Sequence, residues 1–243
     1  MKCLVAAPIG HDHVIHDWVQ GEARFDLAML DYTAEGVQNP PASQYYRHLR
    51  GFKWHMLADF LPEVIDQYDY FWFPDDDIVT TTADINRLFK LFAAGPFGLA
   101  QPALTHNSFY SWRVLLQKGK GYRRVSHVEV MCPIMSREIV KRLLGTFKEN
   151  QSSWGYDLAW TELLNRKGIG VLDQVAVWHS KPVGGRSLYQ LLDSPAHQDR
   201  DQIIAKYGCK KPFFKELPHP FAGWWYDLRY GKIKPRNTAN IEA

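Results

Sequence analysis

The pattern of hydrophobic and polar residues along the chain predicts strands that alternate with helices. Apolar runs typical of buried strands lie at residues 3–7, 25–31, 70–73, 98–101, 128–134, 169–173 and 175–178. Helical spacing of apolar residues, or residues that cap helix ends, predicts helices over residues 16–22, 45–60, 82–92, 137–144 and 157–165. This alternation is typical of an α/β fold in which helices flank a mostly parallel, Rossmann-like sheet.

The pattern changes near residue 185. Residues 186–243 are polar and interrupted by proline, then basic and aromatic, and they lack a clear strand pattern. We therefore expect one domain over residues 1–185 and a C-terminal extension over residues 186–243. Its Trp and Tyr residues would suit a membrane interface, and its Lys and Arg residues would suit anionic lipids. The alternative is an extension that packs on the domain and buries its aromatic rings.

Composition and charge narrow the classes of protein. The chain has 243 residues, 46% hydrophobic and 23% charged, which is ordinary for a soluble globular protein. The net charge of +3 is too small to argue for nucleic acid by itself. Three cysteines without metal-type spacing fit a reducing compartment. The apolar start predicts a strand rather than a signal peptide, so we expect a cytoplasmic protein, peripheral at most to the inner face of the membrane.

Three consecutive aspartates, Asp75, Asp76 and Asp77, directly follow the aromatic run at residues 71–73. Adjacent carboxylates repel one another, and a hard divalent cation such as Mg²⁺ would supply the counter-charge, usually together with substrate phosphates. In an extended segment alternate side chains share a face, so Asp75 and Asp77 would approach one cation. Asp76 would then point elsewhere, to a ribose hydroxyl or a backbone amide. The alternative is an exposed acidic turn that caps the next helix.

Other polar residues follow predicted strands at the edge where such sheets bind ligands. The loop at residues 8–10, Asp31 and the aspartate cluster would meet there, and Lys53 is a candidate diphosphate contact. His179, just past a late strand, would complete a metal site through its neutral imidazole. Lys181 would meet a phosphate as a point charge.

Two carboxylates are candidates for acid–base chemistry. Asp157 follows Gly155 and opens a predicted helix, where a carboxylate is favoured by the helix dipole as a cap. Alternatively it would take a proton from a hydroxyl group as general base, or orient that hydroxyl. Glu129 lies in an otherwise apolar predicted strand, which is costly unless the carboxylate is paired or functional.

The order of these motifs resembles the GT-A class of nucleotide-sugar glycosyltransferases. Asp75–Asp77 is similar to the Asp-x-Asp motif that follows a hydrophobic strand, residues 155–157 to the Gly-x-Asp stretch at a helix start, and His179 to a late metal ligand. A closer resemblance, over about residues 1–185, is to an uncharacterised plant and bacterial family related to these transferases. The segments that carry it are residues 53–54, 73–77, 98–108, 129–137, 154–157 and 177–179.

The resemblance implies a GT-A-like catalytic domain that transfers a sugar from a nucleoside-diphosphate sugar to a hydroxyl acceptor, such as a glycan or a lipid-linked sugar. Asp75, Asp77 and His179 would hold Mn²⁺ or Mg²⁺, which would neutralise the leaving diphosphate. The residues implied to lie near the nucleotide are Pro8, Gly10, Asp31, Lys53, Asp76 and Lys181. Asp157 would be the base of an inverting enzyme or position the acceptor in a retaining one, with Glu129 as the rival carboxylate.

Three alternatives stay open at this point. The acceptor would be a modified base of phage DNA if the basic extension and Arg123–Arg124 tracked phosphates. A nucleotidyltransferase usually carries a Gly-rich basic signature after the first strand, and residues 8–13 contain one Gly and neither Lys nor Arg. A non-catalytic module that binds carbohydrate or nucleotide is the third alternative. The sequence names neither the sugar, the acceptor, the stereochemistry nor the oligomeric state.

Overall fold

A nine-stranded sheet forms the centre of a computed structural model of the protein, which describes residues 1–119, 121–183 and 192–210. Its order is β3-β2-β1-β4-β8-β6-β9-β5, and β7 also pairs with β9. The strands are β1 Cys3–Ile9, β2 Asp26–Asp31, β3 Tyr45–His48, β4 Tyr70–Trp72, β5 Ile78–Val79, β6 Leu99–Leu104, β7 Tyr122–Arg124, β8 Ile134–Ser136 and β9 Ile169–His179.

Parallel ladders contain most of the paired residues of this sheet. Strand β1 lies in parallel between β2 and β4, β3 extends β2 in parallel, and β6 pairs in parallel with β9. Strand β8 runs antiparallel between β4 and β6, and the short strands β5 and β7 run antiparallel to β9. Every residue of β1 is buried, as expected of a central strand that is covered on both faces. The predicted α/β fold with a mostly parallel sheet is confirmed.

The helices of the described residues pack around this sheet. They are α1 Lys53–Val64, α2 Thr82–Ala94, α3 Arg137–Leu143, α4 Tyr156–Leu163 and α5 Ala196–Tyr207. Helix α2 begins at a cap, because the Thr81 hydroxyl accepts a hydrogen bond from the backbone N–H of Asp84. None of the helices in these residues is both long and apolar enough to cross a membrane. Apart from residues 192–210, the predicted C-terminal extension lies outside the described residues.

The helix predicted over residues 45–60 is wrong in its first part. Residues Tyr45–His48 form β3, whose side chains alternate between half-buried and exposed, as expected of an edge strand. Helix α1 begins only at Lys53, after Gly51 adopts a positive φ of 145°. The aromatic spacing that suggested one long helix therefore combines one face of a strand with one face of the helix.

The strand predicted over residues 128–134 is also wrong for most of its length. Only Ile134–Ser136 pairs as β8, and residues 128–133 form an irregular segment that is largely buried. The backbone N–H of Glu129 donates to the side-chain oxygen of Gln101 at 2.8 Å instead of to a neighbouring strand. Glu129 therefore lies in a loop at the edge of the sheet.

A buried ion pair fixes β7 to β9. The Arg123 guanidinium donates to Asp173 from Nε at 2.5 Å and from Nη2 at 3.0 Å, and the two side chains are 5% and 1% exposed. Two further N–H groups donate to the carbonyls of Val114 and Leu116. The bidentate pair and these two contacts use four of the five guanidinium donors. Arg123 is therefore unavailable to track nucleic-acid phosphates, which corrects the role considered for it from the sequence.

Removal of Arg123 should strongly destabilise the protein. The substitution Arg123→Met leaves the Asp173 carboxylate buried without its partner and should lower the free energy of unfolding by about 3–5 kcal/mol. In the exposed pair of Lys148 and Asp59, Lys148→Ala is the matched control and should change it by no more than about 1 kcal/mol. Urea unfolding measures both. Equal and small losses for the two variants would contradict a structural role for the buried pair.

Candidate functional site

Asp75, Asp77 and His179 form one cluster at the edge of the sheet. One ligand atom from each residue lies within 4.8 Å of the other two, and His179 Nε2 is 3.5 Å from Asp77 Oδ2. The approach follows from the sheet, because β5 pairs Ile78 directly with His179 and so brings the preceding Asp77 beside the end of β9. The sequence predicted this set of three residues, and the fold brings them together.

Hydrogen bonds to the neighbouring loop set the orientation of His179. Its Nδ1 is 2.8 Å from the Phe109 carbonyl, which can only accept, so Nδ1 carries a proton and Nε2 faces Asp77. The backbone N–H of His179 donates to Ser108 Oγ at 3.1 Å. Burial alone would lower the pKa of His179, but the hydrogen bond and charge of Asp77 outweigh burial and raise that pKa. A ring fixed through one nitrogen is typical of imidazoles that bind metals through the other.

Lys53, the first residue of α1, holds Asp75 in place. Its Nζ donates to Asp75 Oδ1 at 2.6 Å and to the carbonyls of Val130 and Met131 at 2.8 and 3.0 Å, which uses all three donors of the ammonium group. Desolvation raises the pKa of Asp75, Lys53 opposes that rise, and the neighbouring charge of Asp77 adds to it. The contacts of Lys53 in this state are therefore with the protein itself.

Residues 76–77 form a turn in which the Ile78 N–H donates to the Asp75 carbonyl at 3.2 Å, so the predicted extended segment is wrong. Asp76 nevertheless points away from the cluster of Asp75, Asp77 and His179. Its Oδ2 accepts a hydrogen bond from the backbone N–H of Gly10 at 2.8 Å, and its carbonyl accepts one from Val14. Gly10 is required by space, since a Cβ at this position would lie 2.3 Å from the Tyr32 hydroxyl oxygen. The loop after β1 is thus tied to the aspartates that follow β4.

A cleft lies beside the cluster at the carboxyl ends of β1, β2 and β4. Pro8, Tyr32, Lys53, Asp75 and Asp76 are among the residues that line it. Residues 151–153, which precede α4, line it as well. The three loops that the sequence predicted to meet at one site do so here.

Asp31 is buried at the end of β2 and organises the loop that follows. Its Oδ1 accepts from the backbone N–H of Thr33 at 2.8 Å and from the Thr33 hydroxyl, and its Oδ2 accepts from the backbone N–H of Val37 and from the Tyr46 hydroxyl. Burial would raise the pKa of Asp31, but these hydrogen bonds outweigh burial and lower it. The carboxylate therefore shapes the wall of the cleft through the backbone next to Tyr32.

Lys181 lies near the same edge but does not line the cleft. Its Nζ donates to the Asp12 carbonyl at 3.1 Å. The preceding residue, Ser180, donates from its N–H and its hydroxyl to the Asp77 carbonyl. The lysine thus stands two residues from His179, next to the loop after β1.

Asp157 and Glu129 form a second pair of carboxylates, which are linked through Trp112. Glu129 is 4% exposed, and its Oε1 accepts from the backbone N–H groups of Ser111 and Trp112 at 2.8 and 3.0 Å. The Trp112 side chain hydrogen-bonds Asp157. Desolvation raises the pKa of Glu129 to about 7 and that of Asp157 to about 6. Asp157 keeps part of its surface exposed, whereas Glu129 is buried.

Gly155 allows Asp157 to stand at this position. It has a positive φ of 93° at the start of α4, and a Cβ there would approach the Ile203 Cβ of α5 to 3.0 Å. The close contact between α4 and α5 therefore needs a glycine immediately before the turn that carries Asp157.

The loop at residues 105–112 is the part of the site that sequence reasoning missed. It contacts His179 through Ser108 and Phe109 and contacts the two carboxylates through Trp112. The available signal was its position directly after β6, since polar loops that follow strands of a parallel ladder gather at one edge.

The residues of the cluster fit a hard divalent cation. Two carboxylates and one imidazole nitrogen are a donor set that suits Mg²⁺ or Mn²⁺. The mutual repulsion of Asp75 and Asp77, which contributes to the raised pKa of Asp75, would be relieved by such an ion.

The substitution Asp31→Asn should destabilise the protein. Its amide NH₂ would face donors that now bind a carboxylate, and hydrogen bonds to a charged group contribute about 1.5–3 kcal/mol each, so we expect a loss of about 2 kcal/mol or more. The exposed residue Asp12 provides the control variant Asp12→Asn, which should be neutral. Urea unfolding at neutral pH compares them. An unchanged midpoint for Asp31→Asn would show that the carboxylate does not hold the loop.

The sequence matches no family model and no curated protein, and the closer resemblance to an uncharacterised family stays a prediction. Solved structures do match. The S. aureus TarS fragment 1–349 has 14% identity and a TM-score of 0.54, over 85% of this chain and 70% of that chain. Glucosyl-3-phosphoglycerate synthase from Mycobacterium tuberculosis, solved with Mn²⁺ and UDP, has 14% identity and a TM-score of 0.52, over 86% and 81%. The described part of the chain therefore has the fold of the GT-A-type glycosyltransferases.

Proposed function

We propose that this protein is a metal-dependent glycosyltransferase that moves a sugar from a nucleoside-diphosphate sugar to a hydroxyl acceptor, such as a glycan or a lipid-linked sugar. The observation that carries the proposal is the cluster of Asp75, Asp77 and His179 beside a cleft at the carboxyl edge of a GT-A-type sheet. Support comes from structural neighbours that were solved with UDP and Mn²⁺ or Mg²⁺, and with UDP-GlcNAc.

Asp75, Asp77 and His179 would hold the cation, Mn²⁺ or Mg²⁺. When bound, the ion would neutralise the developing charge of the diphosphate leaving group as a Lewis acid. Lys53 positions Asp75, and the Phe109 carbonyl positions His179, so the two ends of the ligand set are fixed before any ion arrives. Such preorganisation limits the cost of ordering the ligands on binding.

The cleft would receive the nucleotide. Pro8 and Asp76 line it, and Gly10 holds Asp76 in place. Asp31 would act through the loop that it organises rather than through direct contact. Within the described residues, Lys181 donates a hydrogen bond to the backbone carbonyl of Asp12. It would bind a phosphate by giving up this hydrogen bond.

Asp157 would be the general base if the enzyme inverts the anomeric carbon, and would position the acceptor if it retains it. Between the two candidates, Asp157 keeps solvent exposure and a pKa of about 6, which suits proton abstraction near neutral pH. Glu129 is buried and one of its oxygens binds two backbone N–H groups, so we assign it the role of a positioning residue.

Two further elements of the proposal concern surroundings. We propose a cytoplasmic location, supported by three free cysteines, with membrane contact through the C-terminal extension. A DNA base as acceptor is the less favoured alternative, because Arg123 is committed to Asp173 and the site is rich in carboxylates. A non-catalytic carbohydrate- or nucleotide-binding module would bind a donor without turning it over.

Donor hydrolysis tests the proposal. The protein incubated with Mn²⁺ and a panel of nucleotide sugars should release a nucleoside diphosphate from at least one donor. Asp77→Asn should abolish this release and weaken Mn²⁺ binding by more than about tenfold in calorimetry, since even changes outside a metal's ligands cost that much. The control is Asp66→Asn, an exposed aspartate that pairs with Lys141.

Binding of a donor without turnover would favour the non-catalytic module. Absence of both turnover and nucleotide binding with every donor would overturn the transferase assignment. Mn²⁺ binding by Asp77→Asn equal to that of the native chain would refute only the ligand role of this residue.

Asp157→Asn should spare donor binding and lower transfer by about 10²–10⁴-fold, the usual contribution of a positioned base. In the native chain the base must be deprotonated, so transfer should fall roughly tenfold per pH unit below a pKa near 6 and level off above it. The residual activity of Asp157→Asn should lack this acid limb. Glu162→Gln on the same helix is the control and should keep it. If transfer by Asp157→Asn still fell at acidic pH with the same profile, Asp157 would be excluded as the base.

A further inference from the structure

Two large aromatic side chains stand exposed beside the candidate site. Phe109 is 45% exposed and Tyr110 is 41% exposed, whereas about half of the Phe, Trp and Tyr residues that the structure describes are buried. Both belong to the loop at residues 105–112, whose backbone positions His179 but whose exposed rings have no part in the proposed donor and metal roles. Exposed rings in contact with a functional site indicate a binding surface more often than rings scattered over the molecule.

The loop is fastened on both sides of the two rings. On one side, the backbone N–H of Phe109 donates to the His179 carbonyl at 3.1 Å, and the Phe109 carbonyl accepts from His179 Nδ1 at 2.8 Å. On the other side, the N–H groups of Ser111 and Trp112 donate to Glu129. The rings are therefore carried on a segment with fixed ends, which is a favourable setting for a binding contact.

The two ends of this segment contact residues with different roles in the proposed reaction, metal binding and proton transfer. His179 is a candidate metal ligand, and Trp112 hydrogen-bonds Asp157, the candidate base. The chain thus runs from Phe109, which contacts the residue that would hold the metal, through Tyr110 to Trp112, which contacts the candidate base. Neither ring lines the cleft beside Asp76 that would receive the nucleotide. The surface is available to the second substrate.

The chemistry of the surroundings narrows the class of that substrate. The acidic side chains of Glu129 and Asp157 contact this loop at Ser111 and Trp112, so a ligand that offers hydroxyl donors suits the surface better than one that offers phosphate acceptors. A neutral pyranose has an apolar face of axial C–H groups, which suits the electron-rich face of an aromatic ring. Its hydroxyl groups at the rim can donate to carboxylates.

We propose that Phe109 and Tyr110 form an acceptor subsite that binds a pyranose ring, and that the acceptor is therefore itself a carbohydrate. This inference rests on the proposed transferase function and extends it to the class of acceptor. Glu129 maintains the subsite by holding the far end of the loop.

Saturation-transfer NMR with a panel of methyl pyranosides and disaccharides tests the subsite in the presence of UDP and the diamagnetic ion Mg²⁺. At least one saccharide should bind the native chain, and Phe109→Ala and Tyr110→Ala should each weaken its binding by about tenfold. Tyr110→Phe should retain binding. Tyr122→Ala, which removes an exposed ring from β7, is the matched control and should leave binding unchanged. If Phe109→Ala fails to fold, Phe109→Leu keeps the bulk and removes the ring face.

Donor hydrolysis in the same variants separates this inference from the proposed function. Native hydrolysis with unchanged hydrolysis in the Tyr110 variants, together with lost saccharide binding in the Phe109 and Tyr110 variants, supports the subsite. Native hydrolysis without saccharide binding, or with equal binding in all variants, overturns the subsite and leaves the transferase function standing. Salt-dependent binding of a single-stranded oligonucleotide through these rings would also overturn it. Absence of native hydrolysis counts against the transferase function itself.

Discussion

The site depends on the close approach of two like charges, the carboxylates of Asp75 and Asp77. Each compensating contact around them comes from a different part of the fold. Lys53, at the start of α1, binds Asp75, and His179, at the end of β9, lies beside Asp77. The backbone N–H of Gly10, just after β1, binds the remaining aspartate, Asp76. The start of α1 and the ends of β1 and β9 thus meet at the acidic segment that follows β4, because its carboxylates need donors and counter-charges.

Sequence reasoning predicted the parts of the site whose signal is local. Three aspartates after an apolar strand indicate their own counter-charge. Asp76 is separated from its neighbours by a turn rather than by the two-residue period of an extended segment. The segment before Gly51 and the residues around Glu129 were placed wrongly, because their structure is decided by partners distant in sequence. Tyr45–His48 is a strand because it pairs with β2. Glu129 is not part of a strand, because its backbone N–H binds the side chain of Gln101 instead of a neighbouring strand. The 105–112 loop was missed because its contacts are nearly all of this long-range kind.

The site has two sides that share His179. On one side lie the cleft, Lys53 and the aspartates. There the carboxylates accept hydrogen bonds from charged or backbone donors, such as the Lys53 ammonium group and the Gly10 N–H. On the other lie Asp157 and Glu129. Desolvation raises the pKa values of these two and also that of Asp75, but only Asp75 has an ammonium partner, Lys53, that opposes the rise. Charged carboxylates suit a cation on the first side, and carboxyl groups that change protonation near neutral pH suit proton transfer on the second. The difference in environment is what allows similar residues to serve different chemistry.

The pairing of β9 has a consequence for how this chain can vary. Along β9, Trp178 is exposed and His179 is buried, so a slip of one residue would exchange them and turn the imidazole outward. The ladder between β6 and β9 already contains one irregularity, between Pro102 and Ala103. This irregularity determines which side chains of the following β9 residues face the core. Substitutions along these strands change packing by degrees, whereas inserting or deleting a single residue between that irregularity and His179 would remove a ligand from the cluster altogether. Among divergent relatives, we expect the length of this interval to persist after its amino acids have changed.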